Sequence, residues 1–215
     1  MIEDASSGDE QARGRFASMY LPVVRAYFVS RWKGSPLGVE VDDAVQEAFL
    51  ECFREGGALE RADRDRGAFR EYLYGLVRNV ARRVESRRPA RERKHLESLG
   101  VSEPEARDER PSRAFDREWA RSLMRAATER LRAEAERGGE EARRRVELLR
   151  LHFQEGIAIR EIARLWEVDP DRLRREYLKL QREFKQALIE EVRFHQPGSP
   201  STAERECERL LDLFG

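Results

Sequence analysis

Asp42, Asp43 and Glu47 stand close together in the run VDDAVQEAFLECF, and clustered carboxylates of this kind can hold Mg²⁺ through hard oxygen ligands. Metal-assisted catalysis would need a second carboxylate helix facing the first. The candidates for it, Asp63 and Asp65, lie in the arginine-rich stretch ERADRDRG. Neither a glycine-rich phosphate cradle nor a nucleophile with an adjacent base accompanies them. Cys52 and Cys207 are far apart and the three histidines are scattered, so no CxxC or HxxxH spacing offers a metal site. The expectation is a protein that is not an enzyme and carries no metal or cofactor.

Basic residues form the other two sets. The run FREYLYGLVRNVARRVESRR combines Arg70, Arg78, Arg82, Arg83, Arg87 and Arg88 with Phe69, Tyr72 and Tyr74. Rings offer stacking surfaces to unstacked bases while arginines hold a phosphate backbone. Most of these aromatics fall on an apolar stripe, however, so taken alone the run reads as core aromatics beside a solvated basic face. Asn79, by spacing alone, reads as a hydrogen bond within the helix rather than a ligand. Further on, IAIREIARLWEVDPDRLRREYLKL joins two short amphipathic runs at a Val-Asp-Pro corner. Ile159, Ile162, Ala163 and Trp166 share one face of the first run, and Leu173, Tyr177, Leu180 and Phe184 one face of the second. Asp169 is placed to cap the second run with Pro170 in its first turn, which suits a helix-turn-helix over 157–184. Its outer face carries Arg172, Arg175, Lys179 and Arg182, with Arg174 alongside, at the end that enters a major groove in such motifs. The plain reading is a helical hairpin with a solvated basic face. The core pattern, the corner and the arginine placement agree on a DNA reader.

Nucleic acid is compatible with a net charge of zero, because the charge is partitioned: net −5 over residues 1–60 and +7 over 61–95. Phosphate binding follows local clusters of Lys and Arg and not the whole-chain sum. On the charged face of the acidic helix, Leu50 is an apolar residue with Gln46 and Glu47 nearby, a pattern that suits docking of a basic partner helix.

The elements that must position these residues are helical. With 39% charged residues and 3.6-residue periodicity throughout, the chain is expected to be all-α, two helical domains joined by a flexible linker. The spacing predicts a helix within 16–32, where Pro22 either kinks the helix or marks its start, a second over 41–54 and a third over about 68–88. Residues 1–14 read as a disordered start and 91–114, with two prolines and many charges, as the linker. Helices then follow from Phe115, broken at Gly138-Gly139 and Gly156, up to 193. HQPGSPS reads as a hinge, and the extension 194–215 carries a short helix capped by Ser201 or Thr202. No run approaches the length of a membrane span and no signal peptide is evident, so a cytoplasmic location with no membrane contact is expected.

In this order the elements resemble the extracytoplasmic-function class of the bacterial sigma-70 family, over about 15–95 and 115–193. The 41–53 helix is similar to sigma region 2.2, which binds the β′ clamp helices of core RNA polymerase, and Asp43, Gln46, Glu47 and Leu50 match its contact positions. FREYLYGLVRNVARRVESRR is similar to regions 2.3 and 2.4, which melt and capture the minus 10 element, with Phe69, Leu73, Tyr74, Arg78 and Asn79 matching. The resemblance thus implies a domain over 15–90 whose minus 10 contacts are Arg64, Arg66, Phe69, Arg70, Tyr72, Arg78, Asn79, Arg82 and Arg83. A second domain over 115–193 resembles region 4, with Glu161, Ile162 and Ala163 in register and Arg172, Arg174, Arg175 and Lys179 at the minus 35 element. Implied partners are promoter DNA, core polymerase through the β′ clamp helices and β flap, and as regulator an anti-sigma protein or the C-terminal extension. FDREWA and a tail of the form FHxPGSP...ERECxxLL resemble planctomycete-type members, without implying a role for either motif. Tyr72 stands in place of the usual Trp, and Glu167 in place of the corner glycine, so that Glu167 either accepts a positive φ or the turn differs. The alternative is a stand-alone helix-turn-helix repressor, or a sigma-like interaction protein without initiation activity.

Overall fold

The computed structural model describes residues 9–54, 69–87, 104–195 and 203–208, and the described residues form helices and turns without a strand. The helices are α1 (Glu10–Arg31), α2 (Val41–Phe53), α3 (Phe69–Ser86), α4 (Pro104–Arg137), α5 (Glu140–Leu149), α6 (Ile159–Leu165) and α7 (Pro170–His195). A 3-10 turn, Pro36–Glu40, precedes α2, and a π-helical segment, Arg150–Gln154, follows α5. The chain divides into two compact units. Unit 1 comprises Met1–Ser122, His195–Gly198 and Leu210–Gly215, and unit 2 comprises Leu123–Phe194 and Ser199–Arg209.

Unit 1 is organised around α1, which is continuous through Pro22 and starts earlier than its apolar pattern predicts. Asp9 caps it, accepting from the Ala12 amide at 3.0 Å, so residues expected to be disordered are helical from Glu10 onward. Phe16, Tyr20, Val23, Val24, Tyr27 and Phe28 are all buried, at the i, i+4, i+7 spacing that gathers one face of a helix. Against them α2 buries Val41, Ala44, Val45, Ala48 and Cys52, and α3 buries Phe69, Leu73, Val77, Val80 and Val84. Tyr72 and Leu76, which the pattern assigns to the buried side of α3, are only half-buried. The C-terminal ends of α1 and α3 are fastened by Glu85. Its carboxylate accepts from Arg31 at 2.7 and 3.0 Å and from the Trp32 indole at 3.0 Å, a two-point guanidinium pair with an added donor.

The stretch expected as a linker is helical from Pro104, with Pro111 inside the helix. Proline in a first turn forfeits no hydrogen bond, and the acidic composition of PEARDE suits the positive end of a helix dipole. Prolines and charges that look like linker composition are here a helix beginning. The boundary between the units falls at Ser122–Leu123, inside α4, and not in the expected linker.

Unit 2 follows its periodicity closely. Leu148, Leu149, Ile162, Ala163, Leu173, Tyr177 and Leu180 form its core, with Ile157, Trp166, Val168 and Phe184 packed against them. Gly139, at φ +83°, turns the chain between α4 and α5, and Gly156, at φ +68°, turns it ahead of α6. Residues 203–208 are helical and bury Ala203 and Cys207, and Lys185 pairs with Glu208 at 3.6 Å. The hinge HQPGSPS, apart from His195, lies outside the described residues.

Candidate functional site

Two faces of unit 1 carry the residues singled out in its sequence. Along the outside of α2, Asp43 and Gln46 are exposed and Leu50 is 70% exposed, an apolar side chain left in water on a polar helix face. Glu47, one turn before it, is turned instead toward α3. Its carboxylate meets Arg83 at 3.1 Å and Arg87 at 3.1 Å, and Glu51 meets Arg83 at 3.0 Å. Helical spacing accounts for the arrangement: Glu47 and Glu51 are four residues apart on α2, and Arg87, just past the end of α3, is four residues beyond Arg83, so the two pairs face each other in register. Asp42, the first of the clustered carboxylates, pairs with Arg25 of α1. The set is therefore divided between two ion-pair systems, and among the described residues no group of three potential ligands is positioned to hold a metal ion.

The α3 residues are similarly sorted. Tyr72, Asn79 and Arg83 line a groove of about 460 Å³ together with Glu51, Arg54, Glu71 and Gly75. Arg82 is exposed and Arg78 half-buried. Phe69 lies in the core at 7% exposure, in ring contact with Phe16, Tyr20 and Trp119. Arg70 is half-buried and pairs with Asp116 of α4. Tyr74 packs edge-on against Tyr27 and Phe115. Arg64 and Arg66 lie outside the described residues. Cys52 is a buried core side chain of α2, its thiol pushed up to about 12 by burial and by the neighbouring Glu51 charge.

Sequence reasoning missed Glu51 and Arg54, the acid and base at the α2 edge of the groove. Their signal was available, since Glu51 is one turn beyond Glu47 and Arg54 one turn beyond Leu50. It missed Asp116 as well, and there no local signal existed.

In unit 2, α6 ends at Leu165 and α7 begins at Pro170. Asp169 caps α7, accepting from the Arg172 amide at 2.7 Å. The turn is a Schellman motif: the Val168 amide donates to the Ala163 carbonyl at 3.0 Å, and the Glu167 amide to the Arg164 carbonyl at 3.2 Å. Such a turn needs a left-handed residue at the position Glu167 occupies, and Glu167 adopts φ +54°. The first of the two expected outcomes for this residue is the one realised. On the outer face of α7, Arg172 pairs with Glu176 at 3.1 Å and Lys179 with Glu183 at 3.8 Å. Arg174 and Arg175 are exposed, and among the described residues no carboxylate pairs with them. Among the described residues no helix is long and apolar enough to cross a membrane.

Residues 16–91 match the family model described as Sigma-70 region 2, a span that lies wholly within unit 1. No curated protein and no solved structure matches the chain.

Proposed function

We propose that this chain, which carries a sigma-70 region 2 domain over residues 16–91, is a sigma factor of the extracytoplasmic-function class that brings core RNA polymerase to promoters. The observation that carries the reading is the pairing of two faces on one small domain. Leu50, Gln46 and Asp43 form an exposed apolar-centred patch on α2, and Tyr72 and Asn79 line a groove where α3 meets the same helix. An exposed leucine ringed by polar groups suits docking on the β′ clamp helices, where one buried anchor supplies much of the affinity. A groove with an aromatic wall and amide and guanidinium donors suits an unstacked base of the minus 10 element, whose capture offsets the few kcal/mol of strand opening.

Unit 2 supplies the minus 35 reader and binds the β flap. Its capped α7 presents Arg174 and Arg175, with Arg172 and Lys179 behind their own carboxylates, at the end of the helix that enters a major groove in helix-turn-helix proteins. Arginine forks there contact guanine edges. The C-terminal extension, whose residues 203–208 bury Ala203 and Cys207, acts on transcription through unit 2, alone or with an anti-sigma protein.

Run-off transcription with core polymerase over a random promoter library tests this reading. Initiation from a defined pair of elements is expected, and Leu50→Arg abolishes it. A chain that binds duplex DNA tightly without polymerase and never initiates is a repressor, and a chain that binds polymerase without initiating is an interaction protein; either result ends the sigma reading.

A further inference from the structure

Two sequence motifs hold none of the residues assigned to polymerase docking or promoter reading: FDREWA, residues 115–120, and FHQPGSP, which begins at Phe194. Both deliver a residue to the same place in unit 1. Phe115 packs edge-on against Tyr74 with ring centroids 5.4 Å apart, and Asp116 pairs with Arg70. Trp119 stacks on Tyr20 at 5.4 Å and contacts Phe69 at 6.3 Å. His195 completes the cluster, its Nδ1 hydrogen-bonded to the Tyr20 hydroxyl at 2.6 Å and its ring edge-on to Trp119.

The spacing explains why α4 can do this. Phe115 and Trp119 are one turn apart and stack on each other at 6.1 Å, so they enter the face of α1 and α3 as one apolar blade. Asp116 follows Phe115 directly, which sets its carboxylate at the rim where Arg70 arrives. Phe115 and Trp119 are 0% and 2% exposed, whereas Arg70 and Asp116 keep about a fifth of their side-chain surface in solvent. The blade is therefore the anchor and the ion pair its edge.

What the blade covers matters. Phe69, Arg70 and Tyr74 lie on the first two turns of α3, the end of the basic aromatic run nearest the segment that holds Arg64 and Arg66. A strand of DNA reaching Arg70 would require its guanidinium to leave Asp116, and stacking on Tyr74 would require Phe115 to move, so DNA and α4 exclude each other there. We propose that FDREWA and His195 form an intramolecular latch that masks the leading half of the single-strand surface. In the free chain the latch is closed, and strand capture requires it to open. A ligand shifts such an equilibrium only by its difference in affinity for the two forms, so the latch weakens DNA binding by the factor needed to open it.

The inference rests on the proposed use of α3 for single strands, and its test separates the two. The full-length chain is titrated into a short fluorescein-labelled single-stranded oligodeoxynucleotide at low salt, as wild type, Asp116→Asn and Phe115→Ala, with circular dichroism to verify folding. Asp116→Asn keeps the side-chain shape and removes only the charge, so it should bind about fivefold more tightly, the order of factor a partly exposed ion pair supplies. Phe115→Ala should bind at least as tightly as Asp116→Asn. Adding Arg70→Ala to Asp116→Asn should return affinity to the wild-type level or below, because Arg70 is the group that is freed. Hydrogen exchange of residues 111–122 should rise when the oligonucleotide binds. Unchanged affinity in Asp116→Asn, or full protection of 111–122 in the DNA complex, overturns the latch and makes this part of α4 a permanent helix of the domain. Promoter-specific initiation by wild type alongside that result leaves the sigma reading standing; tighter binding by the variants without initiation by any form leaves the latch and removes the sigma reading.

Discussion

Glu47 on α2 and Arg87, in the turn that follows α3, face each other through a two-point ion pair, Nη1 to Oε2 at 3.1 Å and Nη2 to Oε1 at 3.2 Å. The same carboxylate also meets Arg83. A residue on the proposed polymerase side of the domain is thus tied to the arginines of the proposed DNA side. Such pairs are partly exposed, and exposed ion pairs contribute little. Glu47→Gln should lower stability by no more than about 1 kcal/mol, and by less as salt is raised. Urea melts at low and high ionic strength measure it; a larger, salt-independent loss would mean that Glu47 supports the packing of α2 on α3.

Leu50 offers a sharper separation of folding from function. At 70% exposure its replacement removes little buried surface, so Leu50→Arg should leave the melting curve within about 0.5 kcal/mol of wild type. Affinity for core polymerase should fall at least about tenfold, as expected when a charge replaces an interface anchor. Gln46→Ala should weaken the same complex by a smaller factor. Titration calorimetry with core polymerase decides, and unchanged affinity in Leu50→Arg would remove α2 from the interface.

The four α7 residues proposed to meet the minus 35 element, Arg172, Arg174, Arg175 and Lys179, are not equivalent. Arg172 and Lys179 are engaged by Glu176 and Glu183, whereas Arg174 and Arg175 have no carboxylate partner among the described residues. Loss of a base-reading arginine costs about 1–3 kcal/mol of discrimination. Arg174→Ala or Arg175→Ala should therefore reduce duplex selectivity more than Arg172→Ala or Lys179→Ala. Equal losses on the selected and a scrambled duplex would show that all four merely hold phosphate.

Glu167 carries a conformational cost that glycine would not. A side chain at φ +54° is disfavoured by roughly 1 kcal/mol, and glycine there meets no such penalty. Glu167→Gly should stabilise unit 2 by up to about 1 kcal/mol in thermal melts, while Glu167→Val, β-branched, should destabilise it by more than that. Stabilisation by Val would contradict the turn geometry.

His195 makes the fold sensitive to acid. Burial lowers its pKa from 6.5 to about 4, so the unfolded chain binds the proton more readily than the folded one. Stability from this group is complete above about pH 6.5 and is lost as pH falls from there toward 4, by up to roughly 3 kcal/mol. His195→Gln should be less stable at neutral pH, where it gives up the ring packing against Tyr20 and Trp119, and its stability should fall less steeply across that window. Parallel pH slopes for the two proteins would show that His195 does not titrate there.

Much of the helical plan was legible because it depends on neighbours within a few residues. The apolar stripes of α1, α2, α6 and α7, the Gly139 and Gly156 turns and the Asp169 cap follow from helical periodicity and capping chemistry, both local. Glu167 stood out as well, since the resemblance puts a glycine at that corner, but only the structure decided for a positive φ over a different turn. Where sequence reasoning went astray, at Asp9 and Pro104, residues typical of loops were serving as helix beginnings. Local composition does not separate the two roles.

The state of the functional residues was decided elsewhere. Arg70 is answered by Asp116, 46 residues away, Arg87 by Glu47, 40 residues away, and Tyr20 by His195, 175 residues away. The sequence by itself determined which side chains lie on which face of each helix, because a period of 3.6 residues imposes that. Only the tertiary structure decided which of those faces meet, and so which arginines of unit 1 pair with carboxylates of another helix, because the pairing of remote helices depends on how their cores interlock and not on the spacing within either one.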